Sequence, residues 1–340
     1  MSFDQTTNTS PNLPKISIIT PSFNQGQYIE DTIVSIIGQD YPNIEYIVID
    51  GGSSDNTIDI LKKYNDRITY WISEKDAGQS NAINKGFKKA TGEILNWINS
   101  DDQLMPGALR KIADYFQKHK DVVMIHGRIE YFGEVEFNFT STNISLKDIQ
   151  TKYAAHICMP QPATFYRKQL LDEQGLLDET LQFSMDTDLY VRAGLNYKIL
   201  QIEDVLAKFR LHSTSKSVST TKKKFLVENA IIFSRVMATL SSRFGIESLK
   251  MLKLYTEPRY LYKKPFYNFN DQKLMFYFLQ HRLYTLYSHG EKKEFRRLFS
   301  FLFQKYTSAV ITSKKLMLYR ITLFLSPFFF HKLSRRKHRV

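Results

Sequence analysis

Carboxylates at the ends of apolar runs carry most of the chemistry legible in this chain. Residues 93–102 read Glu-Ile-Leu-Asn-Trp-Ile-Asn-Ser-Asp-Asp, an apolar run that stops at two adjacent acids, Asp101 and Asp102. Such a run is expected to be a buried strand that delivers acids to its C-terminal end, where ligands bind in open α/β sheets. Asn-Ser-Asp-Asp also suits a turn or a helix N-cap. Hard divalent cations such as Mg²⁺ and Mn²⁺ prefer carboxylate oxygens and share their coordination with phosphates. Asp50 and Asp76 follow two earlier apolar runs, and Asp186 and Asp188 open a helical pattern through Leu189, Val191 and Leu195. Aspartate at a helix start is ordinary capping chemistry.

The elements that must position these acids alternate. Strands are expected over 15–20, 44–49, 68–72 and the run before Asp101, with amphipathic helices over 28–39, 57–64 and 79–90 between them. Four strands and three helices in about 100 residues predict a mostly parallel sheet with crossover helices. Asp50, Asp76 and the Asp101–Asp102 pair then share one sheet edge. Four carboxylates converging there are costly unless a cation or polar ligand is present.

Composition narrows the class. A chain of 340 residues that is 43% hydrophobic builds one large or two ordinary domains. The single cysteine, Cys158, excludes an internal disulfide and fits a reducing compartment. The polar first 13 residues do not read as a signal peptide, and no apolar run reaches the roughly 20 residues that span a bilayer. Neither Gly-x-Gly-x-x-Gly nor Gly-x-x-x-x-Gly-Lys-Ser/Thr follows the early strands, which disfavours nicotinamide binding and ATP hydrolysis. Residues 1–220 hold 22 basic and 28 acidic side chains, a net of −6, whereas residues 221–340 hold 25 and 6, a net of +19. That asymmetry assigns two jobs to the two parts.

The motif series Ile-Ile-Thr-Pro-Ser-Phe-Asn24, Ile-Val-Ile-Asp50-Gly-Gly-Ser-Ser-Asp-Asn-Thr57, Asp76-Ala-Gly-Gln-Ser-Asn-Ala-Ile-Asn84-Lys-Gly86 and Asn99-Ser-Asp-Asp102, in this order, resembles the family 2 inverting glycosyltransferases of the GT-A fold. The resemblance covers about residues 15–220. It implies an α/β fold of the nucleotide-diphospho-sugar transferase type, with a mostly parallel sheet flanked by helices and a helical C-terminal extension. It implies a nucleotide-sugar donor, UDP- or dTDP-linked by preference. Thr20, Pro21 and Asp50 would hold base and ribose, Asp76, Gly78 and Gln79 would add contacts near the nucleoside, and Ser22, Asn24, Asn84 and Asp101 would also bind the nucleotide-sugar. Asp102 would hold Mn²⁺ or Mg²⁺. Ser100 stands where a strict Asp-x-Asp has its first acid. Asp186 falls on the position of the general base, with Met185 in place of the usual preceding acid, while Asp188 and Arg192 order the helix. Gln161, in Pro160-Gln-Pro-Ala-Thr-Phe-Tyr-Arg167, would face acceptor or donor sugar. His212 would contact metal or diphosphate, and Lys216 would screen phosphate. His126 and His156 read as scaffold or acceptor-site residues.

The expected organisation is a tail over 1–14, a nucleotide-sugar half over 15–125, an acceptor half over 126–220 and a basic, aromatic-rich helical extension over 221–340. Helices are expected over 225–244, 273–288 and 314–333, the last ending in Lys332-Leu-Ser-Arg-Arg-Lys-His-Arg339. An interfacial helix with a polybasic end lies on an anionic leaflet, and a helical cap with a solvated tail is the plainer alternative. No nucleic-acid recognition module is visible. The sequence thus predicts a cytoplasmic enzyme, peripheral on the inner face of the membrane, that glycosylates a glycan or lipid-linked acceptor. A non-catalytic nucleotide-sugar- or glycan-binding subunit and a sugar nucleotidyltransferase are the alternatives.

Overall fold

The computed structural model describes residues 13–134, 141, 144–155, 159–213, 222–288 and 291–312. The expected helix over 314–333 and the basic end of the chain lie outside them. In order, the elements are β1 (Ile16–Ser22), α1 (Ile29–Ile37), β2 (Ile44–Asp50), α2 (Thr57–Lys63), β3 (Tyr70–Ser73), α3 (Gln79–Lys89), β4 (Ile94–Trp97), β5 (Gln103–Leu104), α4 (Ala108–Lys118), β6 (Val122–Gly133), α5 (Ile149–Ala154), β7 (Thr164–Arg167), α6 (Gln169–Gln174), α7 (Met185–Asn196), β8 (Lys198–Leu211), α8 (Lys222–Thr239), α9 (Arg243–Met251), α10 (Asp271–Ser288), α11 (Lys292–Lys305) and α12 (Thr307–Thr312). The described residues fall into two units, one within 1–144, 159–185 and 197–219, the other within 145–158, 186–196 and from 220 on. The second unit therefore takes α5 and most of α7 as well as the helices after residue 220.

The first unit is built on one eight-stranded sheet of order β3-β2-β1-β4-β7-β6-β8-β5. The first four strands are parallel, as the alternation of strand and helix requires. Beyond β4 the sheet is mixed: β7 pairs antiparallel with β4 and β6, β8 runs parallel to β6, and β5 pairs antiparallel with β8. The register aligns Ser22 with Asp50 and Asp50 with Ser73, so β1, β2 and β3 end level on one edge. β1 is longer than expected and continues through Pro21. The pairing with β4 stops at Ile19, so a residue without an N–H is tolerated there. β3 starts later than expected because Asn65–Arg67 form a 3₁₀ turn.

Isoleucines of alternate strand positions, Ile16 and Ile18, pack with Ile29, Ile33 and Ile36 of α1 on one face of the sheet. On α3's side, the rings of Phe87, Trp97 and Tyr166 meet edge to face at centroid distances of 6.0–6.5 Å. In the second unit, Phe233 of α8 stacks on Phe278 of α10 at 3.9 Å. The helix expected over 225–244 is two helices, because Ser241 adopts φ +51° and the Ser242 hydroxyl caps α9 by accepting from the Gly245 N–H at 2.9 Å. Among the described residues, no helix is long and apolar enough to cross a membrane.

One buried acid braces the sheet away from the site. Glu45 on β2 accepts from Ser17 Oγ at 2.5 Å, from the Thr91 N–H at 2.8 Å, from Thr91 Oγ1 at 2.7 Å and from Lys15 Nζ at 3.0 Å. Burial alone would raise its carboxyl, but the hydrogen bonds from Ser17, Thr91 and Lys15 outweigh it and bring it down to about 2. A carboxyl lower in the folded than in the unfolded state stabilises the fold above its unfolded value, and that contribution disappears as pH falls toward 2. Glu45→Gln is expected to cost about 2–3 kcal/mol at pH 7 in urea unfolding. The difference from wild type should shrink as pH falls from 4.5 toward 2, and a pH-independent difference would contradict this assignment.

Candidate active site

The level ends of β1, β2 and β3 and the turn after β4 bring most of the expected donor-site residues together. Thr20 is fully buried, and its hydroxyl accepts from the Tyr46 hydroxyl at 3.2 Å. Ser22 Oγ and Gln25 Oε1 are buried polar atoms with no hydrogen-bond partner among the described residues. Asn24 takes the left-handed conformation at φ +52°, which asparagine tolerates. It clamps the β1 loop to the β2 loop: its N–H donates to Ser53 Oγ at 2.7 Å and its Oδ1 accepts from the Ser54 N–H at 2.9 Å.

Asp50 is wholly buried. Its Oδ2 accepts from Ser53 N–H (2.8 Å), Gly52 N–H (3.1 Å) and Ser73 Oγ (2.6 Å), and its Oδ1 accepts from Ser53 Oγ (2.5 Å). The carboxylate thus organises its own loop and joins it to β3. The next residue is glycine because a Cβ on Gly51 would sit 2.6 Å from Asp76 Oδ2 and 3.3 Å from the Phe23 ring. That close approach places Asp76 beside the β2 loop. Asp76 Oδ1 accepts from the N–H of Gly78 at 2.8 Å, and Gly78, at φ +109°, starts α3.

A chain of side-chain amides runs from α3 to the turn after β4. Gln79 donates to Asn99 Oδ1 at 2.8 Å, and Asn99 donates to Asp102 Oδ2 at 3.3 Å and to Gln161 Oε1 at 3.2 Å. Gln161 in turn donates to the Trp97 carbonyl at 2.6 Å. Asn84 is placed differently from expectation. Its amide donates to the Leu177 carbonyl and to Glu179 and accepts from the Leu177 N–H, so it braces α3 against the 177–179 turn and is occupied there.

Arg210, which the motifs do not single out, builds the acid turn. Its N–H donates to Asp102 Oδ1 at 3.0 Å, its Nε to the Asp101 carbonyl at 3.0 Å, and its guanidinium to Asp31 at 2.7 Å. The guanidinium also lies over the rings of Tyr28 and Phe132, at 5.0 and 4.4 Å. Asp102 is 1% exposed. Burial, and then the charge of Asp101, raise its carboxyl well above the usual carboxylate range against the donors of Arg210 and Asn99. His212, two residues further along, places Nε2 2.9 Å from Asp101 Oδ2 and its ring 4.8 Å from that of Tyr28. Among the described residues, no three His, Cys, Asp or Glu side chains converge as a metal-holding group. The chemistry of Asp102, Asp101 and His212 nevertheless fits a hard cation: two carboxylates crowd each other, one of them buried and pushed toward its neutral form. His126 is buried on β6, and burial lowers its imidazole to about 4, which suits a scaffold residue. Lys216 and His156 lie outside the described residues.

Asp186 and Asp188 belong to the second unit and differ sharply in setting. Asp188 is fully buried and saturated: Arg192 Nε at 2.9 Å, Arg235 Nη1 at 3.1 Å and the Tyr262 hydroxyl at 2.6 Å all donate to it. The pattern of the motif pointed to Arg192 by its i,i+4 spacing; Arg235 and Tyr262 come from distant parts of the chain and left no local signal. Asp186 remains partly exposed and, among the described residues, accepts from Thr187 at its N–H (2.7 Å) and, weakly, its hydroxyl. Desolvation by its packed surroundings raises its carboxyl to about 6, opposed by those hydrogen bonds and aided by the charge of Glu228.

The sheet and its flanking helices are those of the GT-A fold. Residues 17–177 match the model of glycosyl transferase family 2. Those residues belong to glycosyl transferase family 2. An uncharacterized glycosyltransferase of Rickettsia typhi is 29% identical over 209 residues, 58% of this chain and 64% of that protein. The GalNAc(5)-diNAcBac-PP-undecaprenol beta-1,3-glucosyltransferase of Campylobacter jejuni is 30% identical over 178 residues, covering 49% of this chain and 56% of that one. The chain spans 64%, 35% and 65% of the first three curated relatives. Among solved structures, S. aureus TarS 1-349 in complex with UDP-GlcNAc shares the fold at a TM-score of 0.55, with 18% identity over 96% of this chain and 91% of that one. The mannosyltransferase PcManGT from Pyrobaculum calidifontis, in complex with GDP-Man and Mn²⁺, does so at 0.53, with 14% identity over 96% and 85%.

The contrast between the two acids of α7 is testable by stability alone. Asp188→Ala leaves Arg192 and Arg235 buried without their anion and is expected to cost about 3–5 kcal/mol in urea unfolding. Asp186→Asn removes a charge that its surroundings disfavour, so at pH 7 its unfolding free energy should match or exceed wild type.

Proposed function

We propose that the protein is an inverting glycosyltransferase that moves a sugar from a nucleoside-diphosphate donor to a hydroxyl of a glycan or lipid-linked acceptor. The observation that carries this reading is the acid turn after β4, where buried Asp102 is held by Arg210 and Asn99 beside Asp101 at the C-terminal edge of a parallel sheet. That is the position from which open α/β sheets bind ligands. Thr20, Ser22, Asn24 and the loop organised by Asp50 form the nucleoside side, with Asp76, Gly78 and Gln79 adjoining. Ser22 Oγ and Gln25 Oε1 are buried and unpartnered within the described chain, so each keeps hydrogen-bonding capacity to spare. Lys216 would screen phosphate, and Gln161 would face a sugar.

Asp102 with Asp101, and His212 beside them, would hold Mn²⁺ or Mg²⁺. When bound, the cation stabilises the charge that grows on the diphosphate as it leaves. Asp186 is the general base. Its carboxylate takes the proton of the acceptor hydroxyl, the acceptor oxygen bonds to the anomeric carbon from the side opposite the diphosphate, and the bond from that carbon to the phosphate oxygen breaks. One displacement inverts the anomeric centre. A base raised to about 6 is ionised at neutral pH yet basic enough to accept a proton. The relative from Campylobacter jejuni bears a lipid-linked substrate in its name, and the net charge of +19 in residues 221–340 suits an anionic bilayer, which supports a peripheral enzyme at the inner face of the membrane.

A panel of UDP, GDP, dTDP and CDP, each with and without Mn²⁺, tests the donor site by thermal shift, since binding to the folded state raises apparent stability by mass action. One base should raise the melting temperature more with Mn²⁺ than without, and Asp102→Asn should remove the metal-dependent part. Equal shifts in wild type and variant would dismiss the cation assignment, and no shift with any nucleotide would dismiss the donor site. Asp186→Asn should keep the nucleotide shift and lower turnover by about 10²–10⁴-fold. In wild type, kcat/KM should fall as pH drops through about 6, because protonated Asp186 cannot accept the acceptor's proton. A rate independent of pH between 5 and 8 would overturn that role.

A further inference from the structure

The second unit carries a long connection, residues 252–270, with no helix or strand between α9 and α10. Structureless connections beyond about 12–15 residues are uncommon and are usually either functional or linker segments. This one is held firmly. The Tyr262 hydroxyl donates to Asp188 at 2.6 Å and the Tyr262 N–H to Thr239 Oγ1 at 3.0 Å. Arg235 Nη1 donates to the Tyr260 hydroxyl at 2.6 Å, the Thr256 N–H to Ser234 Oγ at 3.1 Å, and the Phe266 N–H to Asn196 Oδ1 at 3.3 Å.

The connection buries Leu252, Leu254 and Tyr262 and turns other apolar side chains outward. Leu261 is 58% exposed, Phe266 78%, and Met251 at its entry 67%, although each is of a type that packs inside. Lys253, Arg259, Lys263 and Lys264 are exposed among them, with Glu257 the one exposed acid of the stretch. Buried Tyr262 separates Leu261 from Lys263, so the apolar tips and the ammonium groups project from a fixed base.

We propose that residues 251–266 are a membrane-docking loop, with Leu261 and Phe266 entering the headgroup boundary of an anionic bilayer and Lys263, Lys264 and Arg259 meeting its phosphates. Exposed apolar tips amid cations, with almost no acid, are complementary to an anionic interface and poorly matched to water. A second copy of this chain would place the cations of one loop against those of the other. The inference rests on the proposed lipid-linked acceptor, and it locates the contact in the folded unit and not only in the basic end of the sequence. It also ties the bilayer contact to α7: Tyr262 is bonded to Asp188, two residues beyond Asp186.

Flotation of the full-length chain with vesicles tests this without donor or turnover, so failure of the glycosyltransferase reading and failure of the docking loop are separable. Vesicles of phosphatidylcholine with about a third phosphatidylglycerol should bind the chain and vesicles of phosphatidylcholine alone should not, with binding falling as salt rises. Leu261→Ser/Phe266→Ser and Lys263→Glu/Lys264→Glu should each weaken binding about tenfold or more with the basic C-terminal sequence intact. Their thermal melts and nucleotide shifts should equal those of wild type. Undiminished vesicle binding by both variants overturns the proposal. So does the absence of binding to anionic vesicles, or a wild-type dimer in sedimentation that Leu261→Ser/Phe266→Ser dissociates.

Discussion

The hydrogen bond from the Arg210 N–H to Asp102 Oδ1 is the constraint on which the first unit's site depends. Asp102 lies at the end of a strand whose interior is apolar, and a carboxylate buried there must find donors or lose its charge. β4 cannot supply them, since its backbone is committed to β1 and β7. One comes from Asn99 in the same turn, and the other from β8, far along the chain, which reaches the turn because the two-residue β5 pairs with it directly after Asp102. The Arg210 side chain then holds the Asp101 carbonyl and Asp31 of α1, and the Thr32 hydroxyl donates to the Asp102 carbonyl at 2.7 Å. The mixed half of the sheet thus exists, in part, to fix two acids at the end of the parallel half.

The acids of this chain divide by how completely the protein satisfies them. Asp50 and Asp188 have their donors inside the fold and act as organisers of a loop and of a helix. Glu45 does the same at the opposite end of β1 and β2. Asp102 and Asp186 are under-supplied, and both are displaced toward their neutral forms chiefly by desolvation. A group whose charged state is incompletely solvated by its own protein responds to a cation or to a proton carried by a ligand. The motifs do not draw this distinction, because all of these residues look alike as letters.

The alternation of β-branched runs with amphipathic helices made the parallel strands readable, and the rule that ligands meet the C-terminal ends of such strands located the acid edge. Reading stopped where contacts are non-local. Asn84 sits inside a motif that points to the donor, but its amide is consumed by Leu177 and Glu179, nearly a hundred residues away. Arg210 carries no such signal, because nothing in its neighbourhood announces a partner at position 102. The break between α8 and α9 is a Ser-Ser pair without proline or glycine, and periodicity alone runs through it. The side-chain amide chain through Asn99 leaves no pattern either, since each residue contributes one member.

The second unit shows how a polar residue can be spent on alignment. Burying Asp188 with two guanidinium groups is not an efficient source of stability, because desolvating the charges offsets much of their attraction. Apolar residues of similar volume would pack α7 against α8 as well. What the ionic cluster adds is direction: a guanidinium and a phenol from outside α7, Arg235 and Tyr262, meet one carboxylate in fixed geometry, and rotation of α7 by a fraction of a turn would break both, while Arg192 on the same helix holds that carboxylate in place. Asp186, two positions earlier on the same helix, inherits that orientation. A carboxylate with few partners among the described residues therefore keeps its place through the saturated acid beside it, and Asp188, Arg235 and Tyr262 are positioning residues for α7.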